Sequence, residues 1–317
     1  MNIKISEIMT YLNNAVKWPD EKRFAVCLTH DVDRVKKSHQ YFTRFLRFLG
    51  KMEINCAVIE IFKFFKLYFS KDVKKNPYWN FEKIVKIEEK HNVKSTFFFL
   101  NEKGKVNIFK PNAWKLYLGR YKIRDPEIVD VIKRLHSRGW EIGLHGSYNS
   151  YKDENSLKKE KEELENILGK QIHGIRQHYL NLEVPLTWEI HEKLGLRYDA
   201  SFGFRGRIGF KENKYFPFYP FDSSFLVIPL TIMDTALFST NTSAEKAWQE
   251  CKKYVKVAEE KNALLTILWH QESFNEKEFP KWSKLYEELI VLCKQKNAWI
   301  ATASEIERWC NRCSRRC

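Results

Sequence analysis

Two carboxylates one residue apart, Asp31 and Asp33 in His30-Asp31-Val32-Asp33, are the first feature of this chain that can do chemistry. They directly follow the apolar run Phe24-Ala25-Val26-Cys27-Leu28-Thr29. In extended chain, residues i and i+2 share a face. Two carboxylates so placed repel unless a cation or a proton lies between them. A division of labour follows, in which Asp33 binds a metal ion and Asp31 is the base that activates water. The competing reading makes Asp33 the N-cap of the next helix. Further along, other short apolar runs end in the same way. His145 follows Trp140-Glu141-Ile142-Gly143-Leu144, Arg176 and His178 close the run from Ile172, Asp199 follows Tyr198, and His270 follows Leu264 to Trp269. One histidine after a strand is ordinarily a satisfied hydrogen-bonding residue, but five such positions in register point to a common centre. Arg176 and His178 again share a face, so Arg176 can hold Asp31 through a charge-assisted pair while His178 projects towards His145. Asp199 is positioned to orient His270 and raise its basicity, which suits a general acid.

The elements that carry these residues alternate. Strand-type runs at 24–29, 93–100, 140–144, 172–176, 198–199, 226–230, 264–269 and 299–301 are separated by segments of helical spacing at 79–91, 125–139, 156–169, 186–194, 244–261 and 280–296. Strands alternating with helices of this length imply βα units and a parallel sheet. About seven repeats imply a closed or nearly closed barrel, whose strand C-termini converge on one functional face. The rhythm is interrupted once. Residues 38–72 mix aromatic, aliphatic and basic residues at helical spacing and read as one or two amphipathic helices, either packed on the core or lying on a membrane surface through 54–69. A second basic and aromatic segment lies between Phe202 and Phe221, with Arg205, Arg207, Lys211 and Lys214 among Phe210, Phe216, Phe218 and Tyr219. It reads either as a sugar-stacking loop or as an ordered cover over the barrel mouth.

The 317 residues are 44% hydrophobic and carry a formal charge of +15. That is ample for a single domain over 1–317, and the charge suits an anionic substrate or surface, or simply solubility. No nucleic-acid-reading module, dinucleotide fingerprint or P-loop is present, so nucleic acid is not an expected partner. Seven cysteines, three of them in the basic tail 307–317, show no second zinc knuckle, so that tail is expected to be frayed and reduced. Residues 1–22 lack an apolar core, and no run of 18 uncharged apolar residues occurs. The expected location is cytoplasmic, with peripheral membrane contact through 54–69 as an extension.

From about residue 24 to 306 the chain resembles the polysaccharide deacetylase family, through a set of short motifs in the family's order. They are Leu28-Thr29-His30-Asp31-Val32-Asp33, in the branch that writes its carboxylates as Asp-x-Asp, then Ser95-Thr96-Phe97-Phe98, Glu141-Ile142-Gly143-Leu144-His145, Gly174-Ile175-Arg176-Gln177-His178-Tyr179, Tyr198-Asp199-Ala200-Ser201 and Leu268-Trp269-His270. The resemblance implies a distorted (β/α) barrel that removes acetyl groups from sugars. By it Asp31 is the base, Asp33 and His145 are metal ligands, Arg176 steadies Asp31, His270 is the acid, and the backbone N–H of Tyr179 helps bind the oxyanion. The implied metal is divalent, with zinc expected. One position departs from the pattern: the family places a second metal histidine four residues after the first, and here Asn149, a weak zinc ligand, stands there. His178 is expected to replace it, giving Asp33, His145 and His178.

The expected substrate is an acetylated amino sugar or glycan precursor, one carrying negative charge suiting the basic surface. Two alternatives stand beside this reading: hydrolysis of a non-sugar amide, and a catalytically silent carbohydrate- or membrane-binding protein.

Overall fold

The computed structural model describes residues 17–37, 39–68, 72–102, 120–241 and 243–314. The ends of the expected insertion (38 and 69–71) and of the basic tail (315–317) therefore lie outside the described residues. Nine strands form one sheet in the order β6-β5-β4-β3-β2-β1-β8-β7, with β9 also paired to β1. They are β1 (Phe24–Val32), β2 (Thr96–Leu100), β3 (Glu141–Gly146), β4 (Gly174–Gln177), β5 (Tyr198–Asp199), β6 (Leu226–Val227), β7 (Ile232–Met233), β8 (Leu264–Leu268) and β9 (Ala298–Ala301). Every ladder between them is parallel. The sheet curls into a barrel that stays open between β6 and β7, and the outer edge of β6 is met by an antiparallel bridge from Phe218 to Val227.

β1 is the organising strand. Ala25–Thr29 pair with β8 along one edge, while Phe24–Cys27 pair with β9 and Thr29–Val32 with β2 along the other. It is longer than the apolar run alone predicts, because pairing with β2 carries it through His30 and Asp31 to Val32. Its period-2 alternation has a direct consequence. Phe24, Val26, Leu28 and Val32 pack outwards with the helices, whereas Ala25 and Cys27 belong to the inner cluster with Phe98, Tyr198 and Leu226. Asp31 continues the inner row, and His30 belongs to the outer one.

His30 is accordingly structural. Its Nδ1 donates to Trp269 O (2.7 Å) and its Nε2 meets Glu88 Oε1 (2.8 Å). Fully buried Glu88 also accepts from Ser95, Trp140 and Tyr286. The cluster ties β1 to two flanking helices and to the residue before His270.

Among the described residues the helices are α1 (His39–Gly50), α2 (Ile54–Tyr68), α3 (Phe81–Lys90), α4 (Pro126–Ser137), α5 (Glu154–Leu168), α6 (Leu186–Lys193), α7 (Asp234–Thr240), α8 (Ala244–Lys261), α9 (Trp282–Gln295) and α10 (Ala303–Ser314), of which α3 and α9 carry Glu88 and Tyr286. The insertion after β1 is the helical pair α1–α2. Two outcomes differ from the sequence reading. The tail does not fray over its described part: α10 runs to Ser314, Ile306 and Cys310 pack with Trp18, Ala25 and Leu264, and Arg197 grips Glu307 with two 2.7 Å contacts. Its apolar residues recur at Ala303, Ile306 and Cys310, a helical spacing that the basic residues around it hide. The second difference is β7 and α7, an unrecognised turn of the barrel whose strand is only two residues long.

Gly174 opens β4 where the Tyr198 ring lies across the strand, and a β carbon there would overlap that ring. The ring cannot swing aside freely, because its hydroxyl donates to Glu141 Oε1 (2.7 Å). Gly174→Ala is expected to destabilise the protein by roughly 1–3 kcal/mol, the usual cost of overpacking a dense interior, measured as a lowered denaturant midpoint at unchanged slope.

Candidate metal and hydrolytic site

The C-terminal ends of the strands deliver six of the residues singled out above to one cavity of about 320 Å³, namely Asp31, Asp33, His145, His178, Tyr179 and His270. Arg34, Arg205 and Glu272 are also in its wall.

Asp33, His145 and His178 offer ligand atoms that all lie within 4.8 Å of one another. His145 Nε2 is 3.2 Å from Asp33 Oδ1, and His178 Nε2 is 3.4 Å from Asp33 Oδ2. His145 donates from Nδ1 to Arg176 O (2.8 Å), which leaves Nε2 facing the cluster. Nε2 at 3.2 Å from a carboxylate oxygen needs a proton or a metal cation between them, and although burial opposes charge on His145, Asp31 and Asp33 raise its pKa. Asp33 Oδ1 is buried and has no hydrogen-bond partner among the described residues, and the same is true of His178 Nδ1. Burial disfavours charge on Asp33, yet His178 and His145 alongside hold its carboxyl well below the usual range. His178 is pushed down to about 4, burial outweighing the attraction of Asp33, so it is the neutral imidazole a metal needs. An Asp–His–His set with an unmet carboxylate oxygen fits a divalent cation. Arg120, which the motifs do not include, brings positive charge to the same groups: its guanidinium donates to Asp33 O (2.9 Å) and to His178 Nε2 (3.1 Å), which is therefore the unprotonated ring nitrogen.

Asn149 is not part of this cluster. It is exposed, at the start of a short 3-10 turn (Ser150–Lys152), whereas His178 is 2% exposed and faces His145 with ring centroids 5.2 Å apart.

Beside the cluster, Asp31 is held in a fixed pose. Its Oδ1 accepts from Arg176 Nη1 (2.9 Å), and its Oδ2 lies 3.7 Å from His145 Nε2. Arg176 is fully buried, donates also to Thr29 Oγ1 and Ala200 O, and stacks on Phe98. One oxygen of Asp31 is thus committed to the arginine and the other is available to the cavity.

In the same cavity wall, His270 pairs with Asp234, not Asp199. Its Nδ1 is 2.6 Å from Asp234 Oδ1, and its backbone N–H donates to Asp234 Oδ2 (2.9 Å). Burial opposes charge on this imidazole, but the Asp234 carboxylate overrides it and lifts the pKa to about 10. Asp199 is corrected to a structural role. In β5 Tyr198 points inward, so Asp199 points outward, where it accepts from Trp188 Nε1 and from Ser201 N and Oγ. Ser201 in turn accepts from Gln177 N, so Asp199 braces the strand that carries Arg176. Asp234 carried a usable signal: it ends the apolar stretch from Phe225 to Met233, as Asp31 ends its own run.

Tyr179 stands at the rim with left-handed backbone (φ 59°), as does Leu180 (φ 52°). Such conformations cost of order 1 kcal/mol each in non-glycine residues and cluster where backbone is presented to a ligand. The basic, aromatic segment 202–221 divides its roles. Phe202 and Phe218 are buried in the core, Lys211 and Lys214 lie over their rings, and only Arg205 reaches the cavity wall. The backbone of the segment bonds Val227 of β6, Thr231 just before β7 and Leu264 of β8, so the segment is packed along the barrel's open edge.

Comparison with known proteins agrees with the motif resemblance. Residues 75–198 match the family model for polysaccharide deacetylase, a span that contains His145, Arg176 and His178 but not Asp31, Asp33 or His270. No curated protein matches the chain. Among solved structures, a Pseudomonas aeruginosa PAO1 protein assigned as a polysaccharide deacetylase is similar with a TM-score of 0.62 at 17% identity, covering 96% of this chain and 97% of its own. A Mycobacterium smegmatis protein with the same assignment gives 0.57 at 18% identity, covering 92% of each chain. The Puue allantoinase gives 0.59 at 16% identity, covering 95% of each. At these identities the likeness establishes the fold.

Proposed function

We propose that this chain is a metal-dependent hydrolase that removes an acetyl group from an amino sugar or glycan precursor. The observation that carries the reading is the convergence on one cavity of three metal-type ligands, an arginine-held carboxylate and a carboxylate-held histidine. Asp33, His145 and His178 would hold the ion, zinc by the preference of a mixed imidazole and carboxylate set. When bound it supplies Lewis-acid polarisation of the acetyl carbonyl and a lowered pKa for water. The protein's own groups do the rest. Asp31, pinned through Oδ1, presents Oδ2 as the base that takes a proton from the attacking water. His270, kept protonated by Asp234, gives its proton to the leaving nitrogen as the C–N bond breaks, so that acetate and a free amine result. The Tyr179 N–H at the rim is the donor assigned to the developing oxyanion.

Arg205 and Arg34 in the cavity wall favour a substrate that carries an anionic group. Acetate release from acetylated amino sugars, their nucleotide-linked and lipid-linked forms, and a panel of non-sugar amides tests the proposal. Release from a sugar, lost with a chelator and restored by zinc, is the expected result. Turnover of non-sugar amides alone would move the same machinery to another acyl substrate. No turnover together with no bound metal would leave a silent binding protein.

A further inference from the structure

No helix among the described residues is long and apolar enough to cross a membrane. The exposed apolar surface is nevertheless concentrated. Eight of the eleven large hydrophobic residues exposed among the described residues lie between Leu46 and Phe65, on α1, α2 and the turn joining them. Met52 at that turn is 81% exposed and Phe62 70%. On α2 the positions Ile54, Val58, Ile59, Phe62 and Phe65 fall on one side, while Ala57 and Glu60 face the protein. The remaining three, Tyr179, Val184 and Leu186, come from the segment after β4, of which Tyr179 lines the cavity. The α1–α2 pair leaves the C-terminal end of β1, and the second segment leaves that of β4. In a parallel barrel both therefore emerge on the face that holds the cavity. The base of the pair is anchored beside that mouth, since Lys37 and Arg44 both bond Glu278 in the loop that follows His270.

The charge around this surface is positive. Between His39 and Tyr68 the chain has Arg44, Arg47, Lys51, Lys63 and Lys66 against Glu53 and Glu60, and Glu60 is buried against Lys63. Arg47 and Lys51 are exposed beside Leu49 and Met52 at the tip. Apolar side chains flanked by cations, on a protein of net charge +15, complement an anionic bilayer surface, with the rings in the interfacial layer and the cations on the headgroups.

We propose that α1–α2 docks the protein on anionic phospholipid bilayers and turns the cavity mouth towards the membrane surface. Binding is a property of the surface and does not depend on the hydrolase reading, so each can fail without the other.

The test is co-sedimentation of the purified full chain with phosphatidylcholine vesicles, with and without 30% phosphatidylglycerol (a mixture of about three anionic lipids in ten, enough to attract juxtaposed cations). Binding is expected to the anionic vesicles and to weaken with salt. An Ile59→Ser/Phe62→Ser variant, altered only at exposed positions, is expected to lose about tenfold or more in apparent partitioning while melting like the parent. Arg47→Glu/Lys51→Glu should lose about tenfold or more on the anionic vesicles. Failure to bind anionic vesicles, or binding that survives both variants, overturns the proposal. So does a dimer formed without lipid that Ile59→Ser/Phe62→Ser dissolves, because the patch would then be an interface between copies of this chain.

Discussion

An Asp31→Asn protein is expected to lose roughly 10²–10⁴-fold in kcat/KM, the range associated with a positioned base, while binding its metal as the parent does. Oδ1 of Asp31 is occupied by Arg176 at 2.9 Å, so the amide oxygen of Asn can replace it there and preserve the local fold. The amide nitrogen then stands where Oδ2 stood, and it cannot accept a proton. The metal ligands are other residues, so ion content should stay at the parental level. Measuring kcat/KM and metal content on the same preparation separates the roles. A joint loss of both would make Asp31 a ligand, and unchanged turnover would remove it from the chemistry.

The second large effect concerns Asp234. Replacing it with Asn keeps a hydrogen-bond acceptor for His270 Nδ1–H but removes the charge. In the parent, burial works against the imidazolium and Asp234 overcomes it, giving a pKa of about 10, so His270 is protonated across neutral pH. Without that carboxylate the pKa should fall to the ordinary 6.5 or below. At pH 8 only about one molecule in thirty would then hold the proton, from the tenfold change per unit, and kcat should drop by at least that factor. The alkaline limb of the kcat profile should accordingly move from near 10 to near neutrality. Stability follows the same proton. Because the folded pKa is raised above its unfolded value, the pair stabilises fully below about pH 6.5 and loses this contribution as pH rises through about 10. The parent's melting temperature should therefore decline across that window, and the Asp234→Asn protein's much less. An alkaline limb that stays in place in the variant would mean that another group donates the proton.

These two residues also mark what could and could not be read from the sequence. Asp31 was legible because a nine-residue strand carries it, and strict alternation from Ala25 through Cys27 and Thr29 fixes the face it takes. His145 and His178 were legible for the same reason, each ending a run long enough to define a direction. Asp234 ends an apolar stretch too, but β7 has only two residues and an α-helix begins at Asp234 itself, so no period shows which way its side chain points. Position after a strand suggests pairing Asp199 with His270, but β5 also has only two residues and its alternation turns Asp199 away from the cavity. Arg120 belongs to no strand at all and reaches Asp33 across 87 residues of chain, a relation that tertiary packing alone creates. In the tail, a few buried side chains of α10 outweigh its many charges, which a reading by net charge inverts.

The central claim is that His178 serves in place of the histidine missing at position 149. Titration of the metal-stripped protein with zinc, following heat of binding and final ion content, tests it most directly. The parent and Asn149→Ala should each take up one ion per chain with equal affinity. His178→Ala should bind more weakly by more than the roughly 10–100-fold that outer-sphere partners are worth. Parental affinity in His178→Ala, or a loss of binding in Asn149→Ala, would contradict the account.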